Sequence, residues 1–256
     1  MYNYQFLQCI SKIELFNPAE VNAVSFGIEV DDFANSDLLD SNWKLKVQQY
    51  IENLSNFKGL ISLHGAFLDL NPASPDKKIR DVTTDRYIHS INIAKEINAK
   101  YIVFHSQLNP GIKDPVAKEI KLIRQLTFWE SILNEINNTN IIILLENVYE
   151  DNPYDLLELV SRINSNQVKV CLDTGHALLN SQLSLDVWIN VLKDNLEYIH
   201  FHWNNGTYDT HEPPTFDFMH QAYDCLKCNN ITPKIALEYK IHNLIEEAKR
   251  ITDIFI

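Results

Sequence analysis

Eight short runs rich in aliphatic and β-branched residues alternate along this chain with longer amphipathic stretches. We predict the short runs to be strands, and they lie at 3–10, 23–30, 59–66, 100–106, 140–147, 168–174, 197–203 and 233–239. Stretches with apolar residues at three- and four-residue steps are predicted helices, at 42–57, 84–98, 116–137, 154–164, 184–195 and 241–252. The run IIILL at 141–145 is apolar on both faces, as in a parallel strand covered by helices. The alternation therefore predicts an α/β fold with a parallel sheet.

A single (β/α)8 TIM barrel over residues 1–256 accounts best for this pattern. A chain of 256 residues has the usual size of such a barrel, and its 45% hydrophobic content can fill a large core. An open doubly wound sheet is the main alternative, but no G-x-G-x-x-G or Walker-type loop supports it. Long loops are expected at 67–82 and 203–217. No element is assigned to the segment 11–22.

Six of the predicted strands end in a residue that can bind a divalent metal. These residues are His64, His105, Glu146, Asp173, His202 and Glu238, and just beyond the strand ends follow His176, Asp209 and His211. The carboxyl ends of barrel strands form one rim, so all nine side chains are expected to converge. Imidazole and carboxylate ligands without a thiolate suit zinc, manganese or ferrous iron. The sequence therefore predicts one to three divalent metal ions per chain.

Charge and composition limit the classes of partner. The net charge of −12 and the lack of a basic run disfavour a nucleic-acid footprint and favour a small-molecule substrate. No signal-peptide pattern and no apolar stretch of 18 residues is present, so no membrane association is expected. The four scattered cysteines are typical of a reduced protein, and we expect a cytoplasmic location.

The motifs at the strand ends resemble those of a known superfamily. They are H-G-A-F at 64–67, F-H at 104–105, L-E-N at 145–147, L-D-T-G-H at 172–176, H-W-N-N at 202–205, D-T-H at 209–211 and L-E at 237–238. Together they resemble the xylose isomerase-like TIM barrels, which include sugar-phosphate isomerases and epimerases together with endonuclease IV. The resemblance covers about residues 59 to 240. The run E-P-P-T-F-D-F after D-T-H lacks the glycine usual there, so the substrate specificity of relatives is not carried over.

The resemblance implies how the ligands divide among the ions. His64, His105 and Glu146 are implied for a first ion; Glu146, Asp173, His202 and Glu238 for a second; and His176, Asp209 and His211 for a third, as in endonuclease IV. Isomerases and epimerases generally need only the second set, and there His176 is implied to touch the substrate. His200, two residues before His202, is interpreted as a core or supporting residue.

Two reactions follow from these sets, and fold frequency favours the first. An isomerase or epimerase acting on a sugar or sugar phosphate would use Glu146 and Glu238 as general base and acid around a cis-enediolate. The alternative is an endonuclease IV-like phosphoesterase that uses all nine ligands. For a phosphorylated substrate, Arg80 and Arg86 are candidate contacts. A non-enzymatic binding barrel is disfavoured, because many unpaired polar groups at one rim are costly to keep.

Overall fold

Eight parallel strands close into one barrel in the computed structural model, which describes residues 4–255. Each strand pairs with its neighbours in the sequence, and the first strand also pairs with the last. The TIM barrel predicted from the sequence is therefore confirmed. The strands are β1 (Phe6–Ile10), β2 (Gly27–Val30), β3 (Ile61–His64), β4 (Tyr101–His105), β5 (Ile142–Glu146), β6 (Val168–Asp173), β7 (Leu196–Phe201) and β8 (Lys234–Leu237).

Helices follow the strands and cover the outside of the barrel. They are α1 (Pro18–Ala23), α2 (Ser36–Leu39), α3 (Trp43–Leu54), α4 (Lys77–Glu96), α5 (Pro115–Glu135), α6 (Tyr154–Ile163), α7 (Thr174–Asn180), α8 (Leu185–Leu192), α9 (Phe216–Asn229) and α10 (Leu244–Thr252). Short 3-10 turns lie at Ile13–Leu15 and Asp32–Ala34. In residues 4–255 no helix combines the length and apolarity that a membrane crossing requires.

The structure differs from the sequence prediction at several helix ends. The long loop expected at 67–82 is shorter, because α4 begins at Lys77 rather than at 84, where the Asp76 carboxylate accepts a hydrogen bond from the Lys78 amide. Segment 11–22, left without a prediction, holds a 3-10 turn and the start of α1. The short helix α7 was also not predicted. It begins directly after β6, so it places residues of the D-T-G-H motif on a helical turn at the rim.

Two apolar layers hold the barrel together. Between sheet and helices, the rings of Tyr87 and Phe104 stack with centroids 4.0 Å apart, and Trp129 packs beside them. Inside the barrel lies a smaller cluster, formed by Leu7, Tyr101, Val103, Leu144, Cys171, Tyr198 and Ala236. Successive side chains of a strand point to opposite faces, so residues two positions beyond this layer also face inward, nearer the carboxyl ends. The polar residues described next occupy that level and the rim above it.

Candidate metal centre

The nine sequence-predicted ligands meet at one rim of the barrel. His64, His105, Glu146 and Asp173 are the last residues of their strands, while His202 and Glu238 follow theirs by one residue. His176 lies in α7, and Asp209 and His211 lie in the connection between β7 and α9. The side chains form three neighbouring groups, which we call the first, second and third groups.

The first group consists of His64, His105 and Glu146. Nε2 of His64 and Nε2 of His105 lie 3.4 and 3.5 Å from Oε2 of Glu146. The other ring nitrogen of His64, Nδ1, is 2.9 Å from the Gly65 carbonyl oxygen, which leaves Nε2 free to act as a ligand. Burial lowers the pKa of His64, but bonding to Glu146 outweighs it and raises this pKa to about 9. Burial dominates at His105 and lowers its pKa to about 3.

The second group consists of Glu146, Asp173, His200 and Glu238. Nδ1 of His200 lies 3.1 Å from Oε2 of Glu238, 3.4 Å from Oε1 of Glu146 and 3.8 Å from Oδ2 of Asp173. The sequence prediction put His202 beside Asp173 and Glu238, and Nε2 of His202 lies 3.0 Å from Oδ1 of Asp173 and 3.9 Å from Oε2 of Glu238. His200, which was interpreted as a core or supporting residue, lies close to the same carboxylates, because it is the register partner of Asp173 on the neighbouring strand.

The third group consists of His176, His202, Asp209 and His211. Oδ2 of Asp209 lies 3.2 Å from Nε2 of His176 and 3.0 Å from Nε2 of His211, and the rings of His202 and His211 stack at 4.0 Å. His211 has a left-handed backbone (φ 46°), and its Nδ1 is 2.9 Å from the Glu238 carbonyl oxygen. Burial raises the pKa of Asp209, but the bonds from His176 and His211 lower it well below its usual range.

The D-T-G-H motif builds two of these groups from one turn. The Asp173 carboxylate caps α7 by accepting a hydrogen bond from the His176 amide at 2.6 Å, which fixes both ligands on the same turn. Asn147 accepts from the Asp173 amide at 2.8 Å and donates to its carbonyl at 3.0 Å. Gly175 is needed for packing, because a Cβ there would lie 1.9 Å from Cε1 of His202.

The donor atoms suit bound cations. Among the described residues, the buried atoms at this rim without an aligned hydrogen-bond partner include Oε2 of Glu146, Nδ1 of His200, Nδ1 of His202 and Oε2 of Glu238. Buried polar atoms are normally paired, so such a concentration is costly unless another ligand satisfies it. Oxygen and imidazole donors together suit zinc, manganese or iron.

A cavity of about 540 Å³ opens above the three groups. In the part of the chain that the structure describes, no lysine or arginine lines it. The two arginines considered from the sequence point elsewhere: Arg86 forms a bidentate pair with Asp40, and Arg80 donates to the carbonyl oxygens of residues 74 and 75. The cavity walls instead combine carboxylate and histidine side chains with apolar ones, Phe67 and Leu179 among them.

Three polar residues at or below the rim, two of them fully buried, were not predicted to take part. His200 could have been found from strand alternation, because H-F-H at 200–202 puts both histidines on one face of the chain. Glu29 on β2 is fully buried and lies beneath the second group. Asp31, just after β2, lines the cavity with Oδ1 buried and without a hydrogen-bond partner among the described residues, and burial together with Glu29 raises its pKa.

A closed parallel barrel with imidazoles and carboxylates gathered at its carboxyl rim defines the class of this protein. Residues 21–252 match the model of the xylose isomerase-like TIM barrel family, and the chain belongs to that family. It is 29% identical over 182 residues to an uncharacterized protein of Methanocaldococcus jannaschii, covering 67% of each chain. It is 27% identical over 136 residues to a probable endonuclease 4 of Aquifex aeolicus, covering 51% of this chain and 46% of the relative.

The fold also matches solved structures over nearly the whole chain. A D-tagatose 3-epimerase-like protein superposes with a TM-score of 0.76 at 22% identity, covering 98% of this chain and 96% of that protein. The chain spans only part of its curated relatives, about two thirds of the Methanocaldococcus protein and under half of the Aquifex one.

Proposed function

We propose that this protein is a metal-dependent phosphoesterase that binds more than one divalent ion and hydrolyses a small phosphate ester. One observation carries the proposal: Glu146 presents its two oxygens to different groups. Oε2 faces His64 and His105, whereas Oε1 faces His200 at 3.4 Å. A carboxylate that divides its oxygens in this way is suited to bridge two ions.

The number of donors also favours several ions over one. An isomerase of this family is expected to need only the second group, yet two further groups are complete beside it. When bound, two or three ions would polarise a phosphoryl oxygen, stabilise the leaving oxygen and lower the pKa of a water molecule. They would also offset the mutual repulsion of four carboxylates, on Glu146, Asp173, Asp209 and Glu238.

The protein's own residues would position these ions and the ester. Asp173 and His176 are held on the first turn of α7, and Asn147 holds Asp173 from the neighbouring strand. The half-exposed Asp209 and His211 close the group from the loop side, where a substrate would enter. A water molecule deprotonated in this cleft would be within reach of Glu146 and Glu238 as acceptors of its proton.

The cavity favours a small ester over a nucleic acid. The net charge is −12, and the described lining contains no lysine or arginine to follow a phosphate backbone. A phosphate group would therefore be held by the ions themselves. The similarity to a probable endonuclease 4 supports the phosphoester chemistry, while its nucleic-acid substrate is not carried over.

A sugar isomerase or epimerase is the second candidate. Glu146 and Glu238 both approach Nδ1 of His200, within 3.4 and 3.1 Å, so two carboxylates lie close to one position. Such a pair could remove and return a proton on opposite faces of a substrate. A cavity whose described lining holds no lysine or arginine also suits an uncharged sugar.

Metal analysis with a substrate screen separates the two candidates. Purified protein is analysed for metal content and assayed with p-nitrophenyl phosphate, bis-p-nitrophenyl phosphate and a panel of ketoses. We expect two to three ions per chain, together with phosphoester hydrolysis that a chelator removes and zinc or manganese restores. One ion per chain with ketose interconversion and no hydrolysis would contradict the proposal and support the epimerase.

A further inference from the structure

The larger apolar side chains of the cavity come from one half of the barrel. They lie in the segments that follow β3, β5 and β6, at Phe67, Leu68, Val148, Tyr149 and Leu179. In the described lining, the segments after β2, β7 and β8 contribute Asp31, Asp209, His211 and Glu238, and no apolar residue larger than Ala34. The extended apolar surface of the cavity is therefore confined to one side.

Two of these apolar side chains are largely exposed where they line the cavity. Tyr149 is 62% exposed and Leu68 is 60% exposed. In the part of the chain that the structure describes, the Tyr149 side chain makes no hydrogen bond and no ring contact. Single exposed apolar residues are common on protein surfaces. Here two of them border the same cavity, so both are open to contact with a bound molecule.

The backbone that carries the Tyr149 ring is fixed. The amides of Val148 and Tyr149 both donate to Oε2 of Glu150, at 2.8 and 2.9 Å. Glu150 is buried, and its other oxygen accepts from the Ser106 hydroxyl. Asn180 on α7 donates to the Val148 carbonyl oxygen at 2.7 Å. A fixed backbone has less conformational freedom to lose when a ligand binds, so the ring is a preorganised contact surface.

The apolar side of the cavity continues down to the first group. The Phe67 ring stacks on the His105 ring with centroids 4.2 Å apart and meets the His64 ring edge-on at 5.2 Å. The Phe67 carbonyl oxygen accepts a hydrogen bond from the Gln107 side chain at 3.3 Å, which holds this turn. An ester whose phosphate is bound at the first group would therefore lie against an apolar wall on this side.

We propose that the phosphate ester carries an apolar, aromatic alcohol group and that Tyr149 is the specificity-determining residue that stacks against it. This inference rests on the proposed function, because it names the substrate class of the phosphoesterase. Aromatic rings attract each other in stacked or edge-on arrangements beyond the gain from buried area. A polyhydroxylated alcohol would lose hydration against this surface without gaining hydrogen bonds from it.

Two esters with similarly basic leaving alkoxides test the substrate class: benzyl phosphate and glycerol 1-phosphate. With zinc-loaded wild-type protein, we expect kcat/KM for benzyl phosphate to exceed that for glycerol 1-phosphate by at least about tenfold. Hydrolysis of neither ester would overturn both this inference and the proposed function. Hydrolysis of glycerol 1-phosphate as efficiently as benzyl phosphate would overturn the inference and leave the proposed function standing.

Variants at position 149 test the assigned residue. Tyr149→Ala is expected to lower kcat/KM for benzyl phosphate by about tenfold, mainly through KM, and that for glycerol 1-phosphate by less than about twofold. Tyr149→Phe keeps the ring and should retain wild-type selectivity. Tyr154→Ala is the matched control, because Tyr154 is 57% exposed at the start of α6 and lies outside the cavity lining. Wild-type selectivity in Tyr149→Ala, or an equal loss with both esters, would overturn the inference.

Binding of non-hydrolysable analogues measures the same contact without turnover. Benzylphosphonate and methylphosphonate are titrated calorimetrically into the zinc-loaded protein at several temperatures. We expect the wild type to bind benzylphosphonate at least about fivefold more tightly than methylphosphonate. Burial of apolar surface makes the heat-capacity change of binding negative, so this change should be more negative for the wild type than for Tyr149→Ala. Equal heat-capacity changes for the two proteins would overturn the inference.

Discussion

Asn147 and Asp173 hold each other by two hydrogen bonds, in which the Asn147 side chain accepts from the Asp173 amide at 2.8 Å and donates to its carbonyl at 3.0 Å. Both residues are buried. The side-chain amide of Asn147 thus links β5 to β6 at the rim, where the strands end in Glu146 and Asp173. Its side chain positions a ligand without being one.

Replacing Asn147 with alanine should therefore cost both stability and metal affinity. The change leaves a buried amide and a buried carbonyl without partners, which we expect to lower the free energy of unfolding by about 1–3 kcal/mol. Denaturant unfolding of the chelator-treated protein measures this, and zinc competition measures affinity. Asn53→Ala, on the outer surface of α3, is the control and should stay within about 0.5 kcal/mol of wild type. Equal behaviour of the two variants would contradict the role assigned to Asn147.

Asp209→Asn should separate hydrolysis from epimerisation. Asp209 joins only the third group, where its carboxylate contacts His176 and His211. The amide keeps the shape but loses the charge, so we expect one fewer ion per chain and a fall in phosphoester kcat of at least about 100-fold. An epimerase that depends on the second group would keep most of its activity. Asp69→Asn, at another cavity-lining carboxylate, is the control and should leave the ion count unchanged.

Metal binding should release protons and strengthen as pH rises. In metal-free protein burial lowers the pKa of His211, but the bond to Asp209 outweighs it and raises this pKa to about 9, as Glu146 does for His64. A ligating imidazole must be neutral, so at pH 7.5 these protons have to leave. Calorimetric titration with zinc in two buffers of different ionisation enthalpy should show at least one proton released per chain.

Two histidine variants test this assignment. His211→Gln should lower the number of released protons by about one, whereas His220→Gln, at an exposed position of α9, should leave it unchanged. Metal affinity that is constant between pH 6.5 and 9 would refute the assignment.

Glu247 should contribute to acid stability away from the rim. It accepts hydrogen bonds from Arg250 at 2.6 and 2.8 Å and from the Tyr239 hydroxyl. Burial raises the pKa of Glu247, but the Arg250 bond outweighs it and the pKa is lowered. The pKa of Glu247 is lower in the folded protein than in the unfolded chain, where it is near 4.3, so its ionised form stabilises the fold above about pH 4.3. This stabilisation is lost as the pH falls through the pKa of the folded state.

The corresponding measurement is unfolding of Glu247→Gln between pH 7 and 3. Glu247 and Arg250 are both partly open to solvent, which screens the pair, so we expect a loss of no more than about 1 kcal/mol at pH 7, shrinking towards pH 3. Glu246 is an exposed neighbour in the first turn of α10, and Glu246→Gln should show no loss of stability that shrinks towards pH 3. A loss for Glu247→Gln that stays constant with pH would argue against the ion pair.

Much of the architecture could be predicted from periodicity, because strands buried on both faces and amphipathic helices leave distinct patterns. All nine predicted ligands lie at one rim for the same reason: each ends or follows a parallel strand. The position of His200 beside these carboxylates could not be predicted from motifs alone. It depends on which residue of β7 is level with Asp173, and register is a property of the closed sheet.

Contacts across the barrel were also beyond sequence reasoning. Glu29 and His200, which are in contact inside the barrel, are separated by 171 positions, the difference of their residue numbers, and lie on strands that do not pair. The early start of α4 was missed because Lys77 to Asp81 read as a charged loop. In the structure, Asp76 caps that turn and Lys77 pairs with Asp81 one turn later at 2.7 Å.

The third group differs from the other two in the part of the fold that supplies its residues. Asp209 and His211 are supplied by the connection between β7 and α9, whereas the first and second groups stand entirely on strand ends. Under the proposed function, changing that one connection would remove the third cation site while leaving the barrel and the other two groups intact. A lineage carrying this barrel could therefore exchange trinuclear for binuclear chemistry by altering a single surface segment.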